Sequence, residues 1–423
     1  MSPRITILAF GTRGDVAPLT GLASRLGHEL GAHVAIAAQQ PYEQMVVGSG
    51  HEFRLLPRDT ERDTRGSHYG QAMVDGERLK PSRAAIEGMR QDLVGVGEAM
   101  AAAGEDADLI LCAGPVGTML GWHVAEALHC PSAALVLQPS TPTADFPPPP
   151  LGVRSYGRLG NRMAWRMSAV GEKLFTPLID DLRAHLDLPH RSRRSYQRHR
   201  SENWTYLCGF SDHVVPRPRD WPDHVHVTGY WWPTVAAEKL PPEIDSFLAS
   251  GSAPVYVGIG STAISTGENL SELVRSALKA AGRRGVIHRG WAHLDGGEDP
   301  DMLTIDDVDH AVLLPRMTAA LHHCGAGTTA ASLRAGIPSI PLPGIMDQPF
   351  WANRLHRLGC SPEPIPRTTA TIDSVARAIE SAVSDESVFR RNAESLSGQL
   401  AAQEGTLAAT RLIEDMLETH SRQ

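Results

Sequence analysis

Four apolar runs in the first third of the chain constrain its fold more than any other feature. They are "RITILAF" from Arg4, "HVAIAA" from His33, the apolar part of "DADLILCAG" between Asp106 and Gly114, and "SAALVLQ" from Ser132. A strand with one wet face alternates apolar and polar residues, so unbroken runs imply strands covered on both faces. Between the first two, "GTRGDVAP" reads as a loop and Pro18 as a helix start. Leu19, Leu22, Ala23, Leu26 and Leu30 then recur at helical spacing before Gly31. A helical stretch around "TMLGWHVAEAL" separates the last two runs. Buried strands alternating with helices call for a parallel α/β sheet.

After "PTADFPPPP" the pattern breaks, because four consecutive prolines cannot lie inside a sheet or helix. A helix is expected over roughly Asn161 to Leu186. The proline-dense stretch from Val214 to Pro233 has no helical period and reads as an interdomain linker. A second α/β unit begins with "PVYVGIGS" at Pro254. "GVIHRGW", "AVLLP", "AALHH" and "SIPLP" add short apolar runs, and about Val375 to Leu417 is helical by period. Two doubly wound domains in tandem with a cleft between them follow. In such sheets ligands bind beyond the carboxyl ends of the strands.

The chain has 423 residues and a formal charge of −8, which argues against a nucleic-acid binder. One basic stretch, "HRSRRSYQRHR" from His190 to Arg200, reads as a mobile solvated loop or a contact to an anionic or membrane surface. Cys112, Cys130, Cys208, Cys324 and Cys360 lack metal-site spacing and are odd in number, as free thiols are. "ITILAF" is too short for a signal sequence, and no apolar run approaches the roughly 20 residues of a membrane span. The expectation is a cytoplasmic protein without stable membrane insertion.

The stretch richest in chemistry is "HHCGAGTTAASLRAGIP", His322 to Pro338. It joins a strand end to a helix start, where unpaired N–H groups and a partial positive charge attract phosphate. Gly325 and Gly327 allow close approach of an anion, Thr328 adds a hydroxyl, and a histidine at the strand end can donate a ring N–H. Neither the P-loop nor the GxGxxG pattern is present. Asp347 and Gln348 end the next strand on the same sheet edge, and a carboxylate beside an amide suits vicinal hydroxyls. A phosphate cradle beside a polyol grip suggests a nucleotide-sugar.

"HHCGAGTTAASLRAGIP…PLPGIMDQPFWANRLHRLG" resembles the donor signature of family 1 glycosyltransferases, in particular the bacterial antibiotic and sterol types. "GTRGDVAP", "VTGYWW", "PVYVGIGS", "VIHRGW" and "DDVDHAVLLPRM" match in order, so the resemblance covers effectively the whole chain. It implies the α/β GT-B architecture: two Rossmann-like doubly wound domains facing a cleft. The expected organisation is an acceptor-binding domain over 1–215, a linker over 216–238 and a donor-binding domain over 239–400. A final helix over 401–423 would pack back on the first domain.

The resemblance also implies roles. His323, Gly325, Ala326, Gly327 and Thr328 would cradle the donor pyrophosphate, with Gly260 and Ser261 approaching from the first strand of the same domain. Asp347 and Gln348 would hold sugar hydroxyls, while Trp291 and Val308 fall where the family lines its base pocket. Asp15 is the candidate general base, although a helix cap beside Pro18 would also explain it. The implied reaction is hexosyl transfer with inversion and without cofactor or metal, from a UDP- or TDP-sugar to a hydroxyl. The acceptor would be a largely apolar natural product: a polyketide, glycopeptide aglycone, terpenoid or sterol. DxD matches such as Asp307 and Asp309 are expected to be solvated. Cys324 stands where the family usually has glycine, and Ala331 where plant members have the ribose-binding glutamate. The rival readings are a degenerate GT-B partner subunit and a nucleotide-sugar epimerase; a monomer or homodimer is expected. Acceptor choice is expected to lie in Thr60 to Lys80 and near Pro147.

Overall fold

The computed structural model describes residues 2–67, 70–71, 83–234, 239–260, 267–384 and 386–421. Among these the strands form two sheets. The first contains β1 (Arg4–Ala9), β2 (His33–Gln39), β3 (Glu52–Leu56), β4 (Leu109–Ala113), β5 (Ser132–Val136), β6 (Thr205–Cys208) and β7 (Val225–Val227). Their order is β3-β2-β1-β4-β5-β6-β7. The second contains β8 (Val255–Gly258), β9 (Gly285–His288), β10 (Met302–Ile305), β11 (Ala319–His322) and β12 (Ser339–Pro341), in the order β10-β9-β8-β11-β12. Every pairing is parallel, for example Ile7 beside both Ile36 and Leu111, and Leu321 beside Val257. Strand order reverses between β1 and β4 and again between β8 and β11, and each reversal opens a crevice at the strand ends.

Six helices position the cleft: α1 (Arg13–Leu30), α2 (Gly157–Gly171), α3 (Arg193–Asn203), α4 (Ala326–Arg334), α5 (Gln348–Arg357) and α6 (Gly405–Ser421). α1 buries Val16, Leu19, Leu22, Ala23 and Leu26 against β1 and β2, and Ala409 and Ile413 of α6 complete the same core. The halves also meet through α5. Phe350 lies 5.4 Å from Phe146 and Trp351 6.3 Å from Phe210, centroid to centroid. Arg354 Nε donates to the Val214 carbonyl at 2.8 Å.

Several expectations are corrected. α1 starts at Arg13 rather than at Pro18, because Thr12 and Asp15 cap it one turn earlier. Pro18 therefore sits inside the helix and leaves the Gly14 carbonyl without its helical N–H. The expected linker contains β7, the edge strand of the first sheet, and buries Trp221 and Trp231, whose burial outweighs the proline density. The basic stretch is not a loop. Tyr196 and Arg200 are buried and fold it into α3. Asn161 to Leu186 divides into α2, a 3-10 turn and a helix over Thr176–His185. "AVLLP" forms a helical turn, not a strand, because Asp309 caps it by accepting from the Ala311 N–H at 2.8 Å. β10, only four residues long with Leu303 and Thr304 half-buried between buried ends, was missed. All five cysteines are free.

Candidate active site

One cleft of about 1860 Å³ runs between the two sheets' carboxyl ends, larger than the usual range of roughly 300–1,000 Å³ for a small-molecule pocket. Asp15, Gly260, Trp291, Val308, His323, Gly325, Ala326, Gly327, Thr328, Asp347 and Gln348 all line it. Ser261 lies outside the described residues, as does most of the Thr60 to Lys80 stretch expected to choose the acceptor.

Asp15 occupies the switch point of the first sheet. Its Oδ2 accepts from the Thr12 N–H at 2.7 Å and the Thr12 hydroxyl at 3.0 Å. The cap and the candidate base are thus the same carboxylate. Oδ1 points toward Gly114, the residue after β4. Burial raises the Asp15 pKa, and the two Thr12 bonds oppose that shift. A raised pKa makes a carboxylate a better proton acceptor.

At the second switch point, His322, which ends β11, and His323, which follows it, divide the work. His322 is fully buried, and its Nδ1 accepts the Cys324 N–H at 3.1 Å, tying the turn together. His323 faces the cleft. Its Nδ1 lies 3.3 Å from the Gly258 carbonyl, which can only accept, so Nδ1 carries hydrogen and Nε2 remains for a ligand. The ring is held between two glycines: a Cβ on Gly260 would come within 2.5 Å of it, and one on Gly325 within 2.5 Å of Nε2. Burial lowers the His323 pKa to about 4. α4 begins just beyond, with Gly325 as N-cap, so its first N–H groups and Thr328 face the same space. Cys324 has φ +63°, the left-handed region that glycine favours.

Asp347 caps α5. Its Oδ2 accepts from the Trp351 indole at 2.8 Å. Burial pushes its pKa up to about 6, with a further rise from the nearby Asp15 charge. Gln348 Oε1 accepts from the Gly344 N–H at 2.8 Å, which leaves its NH2 as a donor.

Asp307 is exposed, as expected of a solvated acid, but it is not unpaired. Its Oδ1 lies 2.9 Å from His288 Nε2, and its Oδ2 lies 2.5 Å from Arg13 at the start of α1. The His288 hydrogen bond is the main cause that lowers its pKa to about 2, with Arg13 adding to it. Sequence reading missed this bridge across the cleft; "TRGD" showed Arg13 but no partner for it. Asp309 is a helix cap. The described residues hold no cluster of three or more His, Cys, Asp or Glu able to bind a metal.

Residues 293–414 match the model of the erythromycin biosynthesis protein CIII-like C-terminal domain. The chain is 33% identical to O-mycaminosyltylonolide 6-deoxyallosyltransferase of Streptomyces fradiae, over 99% of this chain and 98% of that one. It belongs to the family of antibiotic and sterol glycosyltransferases. A sterol 3-beta-glucosyltransferase of Arabidopsis thaliana is 30% identical over 96% of this chain and 64% of its own length. This glycosyltransferase thus spans nearly the whole Streptomyces relative but less than two thirds of the plant enzyme. Its fold matches that of the kitacinnamycin glycosyltransferase (TM-score 0.69, 20% identity, 98% and 99% covered). It also matches VinC in complex with dTDP (TM-score 0.64, 18% identity, 98% and 100% covered). The two parallel-sheet domains are those of the GT-B fold.

Proposed function

We propose that this glycosyltransferase moves a sugar from a TDP- or UDP-sugar to a hydroxyl of a largely apolar natural product, with inversion and without a metal. The observation that carries the reading is that the Asp15 carboxylate and the His323 cradle open on one cleft from two facing switch points. Asp15 takes the acceptor proton as the hydroxyl oxygen attacks the anomeric carbon. The nucleoside diphosphate leaves from the opposite face, its charge met by the α4 N–H groups, Thr328 and His323. Asp347 and the Gln348 NH2 hold the sugar hydroxyls. Gly260 approaches the phosphates, and Trp291 and Val308 take the base.

The Streptomyces fradiae relative is named for a 6-deoxyallosyl group, and one solved neighbour holds dTDP. The bound thymidine diphosphate, held by a second neighbour as well, favours a thymidine donor. The uridine donor stays in the test as the second candidate. The decisive experiment incubates the protein with panels of TDP- and UDP-sugars and polyketide, terpenoid and sterol acceptors, with a chelator present. NMR then reads the anomeric configuration of any product. Inverted product in chelator supports the reading. Retained configuration, or activity only with added metal, overturns the mechanism.

A further inference from the structure

The outer face of α2 is apolar and open to solvent. Leu159 is 82% exposed, Met163 52%, Met167 67% and Val170 55%. At helical spacing these four fall on one stripe, opposite the buried Asn161, Ala164 and Trp165. Single exposed apolar residues need no explanation, but a continuous stripe on one helix does.

Basic side chains flank the stripe, although the whole chain carries a charge of −8. Arg158 and Arg162 pair with Asp145 and Asp220. Arg166 and Lys173 are exposed and have no ion-pair partner among the described residues. α3 packs alongside: Arg193 Nη1 and Gln197 Nε2 both donate to the Ala169 carbonyl, at 2.9 and 3.2 Å. It adds the exposed Arg194 and Arg198, the latter paired with Glu202. An apolar helix stripe bordered by unpaired cations is the arrangement by which a helix lies in the plane of an anionic lipid surface.

We infer that α2 and α3 together dock this protein on an anionic phospholipid bilayer, peripherally. No described helix is long and apolar enough to cross a membrane. Trp165, Ser168 and Glu172, on the inner side of the same segment, line the cleft. A docked enzyme therefore presents its cleft beside the lipid in which an apolar acceptor dissolves. That delivery step rests on the acceptor reading above; surface binding does not.

The test is flotation of the full chain, without donor or acceptor, on vesicles of phosphatidylglycerol mixed with phosphatidylcholine and on phosphatidylcholine alone. Wild type is expected to float with the anionic vesicles and to release as salt rises. A Met163→Ser/Met167→Ser variant should lose roughly tenfold or more in partition through lost apolar burial, and Arg166→Glu/Arg194→Glu should also lose binding. Both variants replace exposed side chains, so unchanged circular dichroism and turnover of a dissolved acceptor should accompany the loss. Wild type that stays unbound, or a double-serine variant that floats equally well, overturns the inference. So does light scattering that shows a dimer which the serine variant splits, since the stripe would then be a contact between copies.

Discussion

Thr12 donates both its backbone N–H and its hydroxyl to a single oxygen of Asp15, Oδ2, at 2.7 and 3.0 Å. The carboxylate is thereby held at the head of α1 with Oδ1 turned toward the switch point. Asp15→Asn keeps an oxygen to cap the helix but removes the proton acceptor. Turnover should fall about 10²- to 10⁴-fold, while the melting temperature holds and nucleoside diphosphate still binds. Steady-state rates beside calorimetric titration separate these effects. Loss of nucleotide binding in step with rate would sink the assignment of Asp15 as base.

Asp347, half-buried at the cap of α5, titrates at about 6 instead of its ordinary 3.8. The folded chain keeps a proton that the unfolded chain has already released between these values, so the carboxyl's contribution to stability is lost as pH rises through this window. Asp347→Asn can still accept from Trp351 and has no charge to bury. Relative to wild type it should gain up to about 3 kcal/mol on going from pH 4 to pH 7, while its KM for donor rises. Denaturant melts across that range give the comparison. A gap that stays constant with pH would show that the Asp347 carboxyl is not perturbed.

His323 is neutral at pH 7, with its hydrogen on Nδ1 facing the Gly258 carbonyl. A phosphate oxygen arriving at Nε2 needs a second proton there. Nucleoside diphosphate binding should therefore take up a proton, and affinity should weaken as pH rises through the pKa of the bound state. Calorimetry in buffers of different ionisation enthalpy reads the uptake directly. His323→Ala should abolish the buffer dependence; heats identical in every buffer for wild type would contradict the contact.

Arg13 and Asp307 are 49% and 65% exposed, so Asp307→Ala should cost under about 1 kcal/mol of stability. The pair nevertheless joins α1 to the loop after β10, one group from each side of the cleft. Small-angle scattering of the ligand-free variant should show a larger radius of gyration than wild type at low salt, and the two should converge as salt screens the wild-type pair. Equal radii at low salt would mean that the bridge does not set the opening.

The strands that carry the site were legible because a parallel sheet covered on both faces writes unbroken apolar runs, as in β1 and β4. The phosphate turn was legible because its glycines, threonines and second histidine are consecutive. β10 was not, since its run is only four residues, Met302–Ile305, broken by Thr304. α3 hides its two buried side chains, Tyr196 and Arg200, among charged neighbours, so composition read as solvated where packing decided the structure. The Arg13–Asp307–His288 bridge leaves no local trace at all. His288 and Asp307 meet through the β9–β10 pairing, and Arg13 reaches them only once the two sheets face each other across the cleft.

α6 closes the core of the first domain from the far side of the second. The helix that bears Asp15 thus waits, during synthesis, for a segment made nearly the whole chain later, which gives this half a high contact order and slows its completion. Cutting the chain between β7 and β8 would not release two independent folding units. It would leave an apolar groove on α1 where Ala409 and Ile413 belong, a surface for a chaperone to cover until the second crossing is made.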